Sequence, residues 1–301
     1  MKKKIPVILC VDTGIDDVVG IALVTKLKDF DIKLIVCDQG NTTIENSTMN
    51  TIGVLDLLAC SNIPVVRGSQ PTTGRFIYQA HGNNGLAGHV FDNFSKQPLN
   101  ISADEAIYTT AKQNPNCIII QLGPSTSTAS ALQKYPDLKK YINRIVVMGG
   151  SIYEKLETIK PYTEFNVSSN PEAAEIVLGS GIEILMVPSE MGIIAKLDYY
   201  DIYKTKNLNQ TGAFIEKLYR GYHHRRLSSG IATCDACAIM ATAYPKIFEI
   251  KPTYGFVKYF DSVKTGVCLY DYSKKPNMFV CTNIDIKKFK KLYFKILKKS
   301  P

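Results

Sequence analysis

Short apolar runs rich in β-branched residues alternate along this chain with segments whose apolar residues recur at helical spacing. That alternation constrains the fold more than any single motif. The first run, Ile5-Pro6-Val7-Ile8-Leu9-Cys10-Val11, precedes an amphipathic helix pattern through Val18, Val19, Ala22, Leu23 and Leu27 that starts near Asp16. The second, Ile32-Lys33-Leu34-Ile35-Val36-Cys37, precedes a helical pattern through Met49, Ile52, Leu55 and Leu58, and Ile63-Pro64-Val65-Val66 follows as a third strand. Three more runs, opening at Cys117, Arg144 and Ile182, continue the series. Continuous apolar runs predict strands buried on both faces, and intervening helices predict parallel pairing with right-handed crossovers. The expected fold is therefore α/β, a mostly parallel, doubly wound (Rossmann-like) open sheet with helices on both faces. Short alternating runs between Tyr254 and Val280 predict an antiparallel hairpin or edge strands.

The first strand runs directly into Asp12-Thr13-Gly14-Ile15-Asp16-Asp17, three carboxylates within six residues. A strand, a tight turn and a helix start place them at the carboxyl edge of the sheet, where open α/β proteins bind ligands. Capping and the helix dipole account for Asp16 or Asp17. Asp12 adds repulsion at the strand end that a hard divalent cation with oxygen ligands would offset. Both readings, metal or substrate site and plain capping, stay open on these residues alone.

Other loops fall at the same edge. Gly40-Asn41 ends the second strand, and Leu122-Gly123-Pro124 follows the run from Cys117, baring backbone carbonyls that a hard cation can use. Between residues 67 and 104 the chain is loop-like and holds His81-Gly82-Asn83-Asn84-Gly85-Leu86-Ala87-Gly88. Long glycine-rich segments inside compact domains are commonly active-site loops, so His81 is either a substrate contact or an ordinary surface histidine. Glu164 and Asn166 alternate around Phe165, and an extended segment would point both polar groups one way. Tyr222, His223 and His224 lie in a polar helical stretch, and Thr233-Cys234-Asp235-Ala236-Cys237 opens an apolar helix. The Cys234/Cys237 spacing alone is a weak redox or zinc signal, since nothing nearby supplies a second pair.

Composition limits the class. The eight cysteines are scattered and several sit in apolar runs, which reads as buried free thiols in a reducing, cytoplasmic compartment. Met1-Lys2-Lys3-Lys4 is not expected to open a signal peptide, because the apolar part reaches Asp12 too soon and lacks a small-residue cleavage site. No stretch has the length of a membrane span. Much of the net charge of +9 lies between Ile286 and Lys299, where apolar residues mark one helix face. That segment is either a helix for a membrane surface or nucleic acid, or a docked terminal helix with a solvated lysine face. No basic-aromatic motif for nucleic acid appears elsewhere, so neither nucleic acid nor membrane is the expected partner.

Taken together, these segments resemble the inosine-uridine-preferring nucleoside hydrolase family over nearly the whole chain. Asp12-Thr13-Gly14-Ile15-Asp16-Asp17 matches the family's D-P-G-x-D-D, Gly40-Asn41 its G-N, and His81-Gly82 through Gly85-Leu86-Ala87-Gly88 its H-G-x-x-G-L-x-G. Gly123-Pro124 matches T-G-P, Met148-Gly149-Gly150 matches M-G-G, Glu164-Phe165-Asn166 matches E-F-N, and Cys234-Asp235 matches H-D. The resemblance implies a single domain over 1–301, a calcium-dependent hydrolase of the N-glycosidic bond of ribonucleosides, and a homodimer or homotetramer. It places Ca2+ on Asp12, Asp17, Asp235 and the Leu122 carbonyl, and ribose on Asp16, Asn41, Glu164 and Asn166. Asp12 would also take the proton of the attacking, metal-bound water.

The departures bear on activity. Cys10 stands where the family's D-T-D-P-G begins, Thr13 replaces its Pro, and Cys234 replaces the His that serves as leaving-group acid in purine-active members. A thiol is a poor substitute for imidazolium. Cys234 and His81 are the catalytic candidates for that step, with Tyr222 and His223 as substrate contacts. The competing expectation is a relative that binds nucleosides or other ribosides without efficient turnover.

Overall fold

The computed structural model describes residues 4–71, 79–152, 164–221, 230–260 and 265–299. The chain begins β1 (Ile5–Val11), α1 (Ile15–Thr25), β2 (Phe30–Cys37), α2 (Ile44–Leu57) and β3 (Val65–Arg67). It continues α3 (Ala103–Gln113), β4 (Cys117–Gln121), α4 (Thr126–Lys134), β5 (Ile142–Met148), α5 (Phe165–Ser169), α6 (Pro171–Leu178) and β6 (Glu183–Val187). Four helices follow, α7 (Ser189–Ile194), α8 (Tyr199–Lys206), α9 (Gln210–Gly221) and α10 (Cys234–Ala243). The last elements are β7 (Phe248–Phe260), β8 (Thr265–Asp271), β9 (Met278–Ile284) and α11 (Ile286–Leu297).

These strands form a nine-stranded sheet in the order β3-β2-β1-β4-β5-β6-β9-β7-β8. The pairs from β3 through β9 are parallel, while β7 is antiparallel to both β9 and β8. The doubly wound expectation is therefore borne out, as is the antiparallel edge after Tyr254. The chain moves outward from β1 to β3, then returns to β4 on the other side of β1. That reversal opens a crevice at the carboxyl ends of β1 and β4.

Strand alternation explains why the runs are apolar throughout. Val7, Leu9 and Val11 of β1 enter one core layer, and Ile8 and Cys10 enter the layer on the opposite sheet face. Helices α1, α2, α10 and α11 cover the first face, and α3, α4 and α6 cover the second. The amphipathic helix expected after β1 is instead buried from Ile15 to Val24 apart from Asp16, because α9, α10 and α11 pack over its outer side. Local pattern could not show this, since those covering helices arrive from the far end of the chain.

The lysine-rich terminal segment is a docked helix. Phe289, Tyr293, Phe294, Ile296 and Leu297 of α11 are buried, and its lysines line the other side. Lys26, itself buried at the end of α1, donates to the carbonyls of Leu297 at 3.1 Å and Lys299 at 2.7 Å. The amine thereby satisfies carbonyls that every helix end leaves without an internal partner. Among the described residues no helix is long and apolar enough to cross a membrane. Phe289 is fully buried, so Phe289→Ala should cost about 3–5 kcal/mol in a urea unfolding measurement. A cost under about 1 kcal/mol would mean that α11 is not part of the cooperative core.

Candidate active site

Two helix N-termini meet above the end of β1. Asp16 and Asp17 lie in the first turn of α1, and Asp235 in the first turn of α10. Positions in a first helical turn favour negative charge. Gly20 permits the approach: a Cβ there would lie 2.7 Å from Leu122 Cδ1 and 3.4 Å from Asp235 Cβ. Carboxylate oxygens of Asp16, Asp17 and Asp235 come within 4.8 Å of one another. Asp12, Asp17 and Asp235 are almost wholly buried, whereas the Asp16 side chain is 30 % exposed.

The capping reading of the sequence holds for Asp17, but it is not the whole account. Asp17 accepts from the backbone N–H of Asp12 at 3.2 Å and of Gly14 at 2.9 Å, and from the Asn41 amide at 3.1 Å. Asp12 accepts the Asn41 backbone N–H at 2.7 Å. Burial and the neighbouring Asp17 push the Asp12 carboxyl well above its ordinary range, against the opposing Asn41 N–H. Burial, then Asp16, raises Asp17 to about 7. Asp235 is raised by burial and by Asp16, Asp17, Asp12 and Glu164, charges of one sign.

Glu164 and Asn166 reach the same cleft by a route unlike the one expected. The segment is not extended: Phe165–Ser169 is a short helix, and Glu164 caps it. Its carboxylate accepts from the backbone of Asn166 at 2.8 Å, Gly150 at 2.9 Å and Val167 at 3.0 Å. These N–H groups partly offset the burial that raises Glu164 to about 7. Asn166 turns inward, its Nδ2 donating to the Leu122 carbonyl at 2.6 Å and the Met148 carbonyl at 3.1 Å. Sequence periodicity assumed a strand and so missed the capping function of Glu164.

His81 is 4 % exposed, which removes the surface reading. Its Nδ1 accepts the Ile15 N–H at 2.8 Å, so the ring proton of the neutral form sits on Nε2. Burial lowers its pKa despite Asp16, whose Oδ1 lies 3.5 Å away. Gly14 is required here by space and not by backbone angle, since a Cβ would fall 2.3 Å from His81 Nδ1. The glycines of the following loop serve the backbone: Gly82, Gly85 and Gly88 have φ of +80°, +84° and +82°.

Cys234 packs its thiol against Gly192 and donates to the Ser189 carbonyl at 3.8 Å. Burial, followed by Asp16 and Asp235, pushes it well above the ordinary thiol range. Cys237 is a buried free thiol beside Thr233, with its Sγ 3.7 Å from Thr233 Oγ1. Tyr222 and His223 lie outside the described residues, as does His224. Cys10 faces the core, its Sγ 3.6 Å from Thr128 Oγ1. The sequence reading also overlooked Asp38, buried at the end of β2, although an acid closing an apolar strand was the available signal.

The model of the inosine-uridine preferring nucleoside hydrolases matches residues 7–291. The chain belongs to that family. It is 32 % identical over 302 aligned residues to the non-specific ribonucleoside hydrolase RihC of Escherichia coli O6:H1, covering 98 % of each chain. Nucleoside hydrolase structures share its fold. A plant nucleoside hydrolase superposes with a TM-score of 0.88 at 22 % identity, covering 97 % of this chain and 98 % of that one. The purine-preferring ribonucleoside hydrolase from Gardnerella vaginalis gives 0.86 at 24 %, with the same coverage. As a nucleoside hydrolase family member the chain is an N-glycosyl hydrolase, and family membership makes the acid cluster a metal-site candidate.

The donor set fits a hard divalent cation. The carboxylates of Asp16, Asp17 and Asp235 bring oxygen ligands within 4.8 Å of one another, and their repulsion is the kind a cation relieves. Without a cation, the folded protein holds protons on Asp17 up to pH about 7, whereas an unfolded Asp releases them near 4. The folded state then binds more protons across that interval, so stability falls as pH rises through it. In chelator, the melting temperature should therefore drop between about pH 5 and pH 7.5. An added divalent cation should raise it more at the higher pH, where the acids are ionised. Cation-induced shifts equal at both pH values would contradict the coupling.

Proposed function

We propose that this protein is a ribonucleoside hydrolase, releasing ribose and free base by means of a calcium ion at the acid cluster. The observation that supports it best is the convergence of Asp12, Asp16, Asp17 and Asp235 at the sheet's reversal point, three of them buried. Asp17 and Asp235 would hold the cation with Asp12 and the Leu122 carbonyl. Asp16 is the most exposed of the four acids and takes the ribose hydroxyls, with Asn41, Glu164 and Asn166. Carboxylates suit that work because they accept the many donors a sugar offers. When bound, the cation supplies charge that lowers the pKa of the attacking water and anchors the ribose.

The chain's own groups then divide the reaction. Asp12, gripped by the Asn41 N–H, accepts the proton of the attacking water as its oxygen bonds to the anomeric carbon. The bond from that carbon to the base nitrogen breaks. Asp16 and Glu164 stabilise the positive charge that builds on the ring, as carboxylates do in glycosidases. Proton delivery to the leaving base is the weak point. Cys234 has a thiol pKa pushed above its ordinary range, and His81 is held neutral with Nδ1 on the Ile15 N–H. These facts favour a second reading, in which nucleosides are bound but turned over poorly. The eight free thiols among the described residues support a reducing compartment, and we place the enzyme in the cytoplasm as a homo-oligomer.

Purified protein incubated with purine and pyrimidine nucleosides, with calcium and then with chelator, tests the proposal by ribose release. Retained calcium binding with no release from any nucleoside would leave the binding reading. Asp12→Asn should lower kcat by about 10²- to 10⁴-fold, the range for a lost general base. Cys234→Ala should change kcat less than about tenfold, since a thiol held above its ordinary pKa is a poor acid. A riboside whose leaving group departs without a proton should be cleaved faster than any nucleoside. A hundredfold loss in Cys234→Ala would instead assign the acid to that thiol.

A further inference from the structure

Asp12 sits at the end of β1, gripped by loops from the strands on either side. From β2, the Asn41 N–H donates to its Oδ2 at 2.7 Å. Gly40 lies so near that a Cβ would fall 2.0 Å from that oxygen. From β4, a Cβ on Gly123 would fall 2.9 Å from Asp12 Oδ1. The two loops also touch each other, since the same Cβ on Gly40 would lie 2.9 Å from Pro124 Cδ. Contact alone does not fix one loop to the other.

A buried carboxylate does. Asp38, 1 % exposed at the end of β2, accepts a hydrogen bond on Oδ1 from the Ser127 hydroxyl in the first turn of α4. The Ser127 oxygen in turn accepts the Ser69 N–H at 2.8 Å, joining the loop after β3. The helix's own N-cap residue, Ser125, makes no side-chain capping bond. Asp38 thus ties the first turn of α4 to the end of β2 from outside the helix. Its Oδ2 is buried without a hydrogen-bond partner. A half-satisfied buried carboxylate is costly, and such groups cluster at functional sites.

We propose that Asp38 is a positioning residue of this site: its carboxylate clasps α4 to the loop after β2 and so holds closed the two loops that grip Asp12. The inference rests on the hydrolase reading of Asp12. It also gives Cys10 a context. Where the family pattern begins with an acid, β1 here presents a thiol on the sheet face it shares with Val36, and the nearby acid comes from β2. Asp38 acts through Asn41 and Gly123 and touches no reacting atom.

Asp38→Ala and Ser127→Ala break the clasp from its two ends. Each should lower kcat, and weaken calcium binding measured by calorimetry, by about 10- to 100-fold, as lost supporting contacts do at metal sites. The nucleoside KM should stay within about threefold of the wild type. Asp38→Asn keeps an acceptor for Ser127 and should recover most of both losses. The double variant should be no worse than the poorer single one, because the partners act as one unit. Folded Ala variants with wild-type kcat and calcium affinity would overturn the clasp, as would additive losses in the double variant. Should Asp38→Ala fail to fold, Ser127→Ala decides. A wild-type protein without turnover refutes the hydrolase reading separately, and the calcium affinities then judge Asp38 alone.

Discussion

Four carboxylates of one sign stand together at the end of β1 and the starts of α1 and α10, and most of the local structure is arranged to tolerate them. Backbone N–H groups of Asp12, Gly14 and Asn41 take part of the load, and two helix N-termini add partial positive charge. That support is incomplete, because Asp17 still titrates near 7 and Asp12 and Asp235 are raised well above the carboxylate range. Repulsion that these groups leave unrelieved is of the kind a divalent cation offsets. The same economy explains the glycines at 14, 20, 40 and 123. Each removes a side chain where another group must come within contact distance of an acid or its supports.

In the proposed reading, the cleft is better equipped to bind and polarise a sugar than to protonate a leaving base. Asp16, Asn41, Glu164 and Asn166 are the residues we propose for the ribose. The proposed proton donors are a thiol at 234 raised above its ordinary range and an imidazole at 81 whose Nδ1 is committed to α1. Such an imbalance points toward substrates whose base leaves with little help.

Much of the fold was legible because strand burial and helix periodicity are written in neighbouring residues. The parallel series from β1 to β6 and the antiparallel edge after Tyr254 follow from runs a few residues long. The errors share one cause. α1 seemed amphipathic because its local pattern cannot register α9, α10 and α11 packing over it. Glu164 and Asn166 seemed extended because an i, i+2 spacing does not register the distant Gly150 N–H, which joins those of Asn166 and Val167 on the capping Glu164 carboxylate.

For the site, the sequence by itself determined which chemistry was available: Asp12, Asp16 and Asp17 at a strand end, with Gly40-Asn41 and Leu122-Gly123-Pro124 at the same edge. Only the tertiary structure decided which groups meet. Asp235 joins α1 across more than two hundred residues, His81 leaves the surface to hold Ile15, and Asp38 reaches Ser127. The physical reason is that charge repulsion and hydrogen bonding depend on separations of a few ångströms, and the order of strands across the sheet, unlike the order of residues, sets those separations.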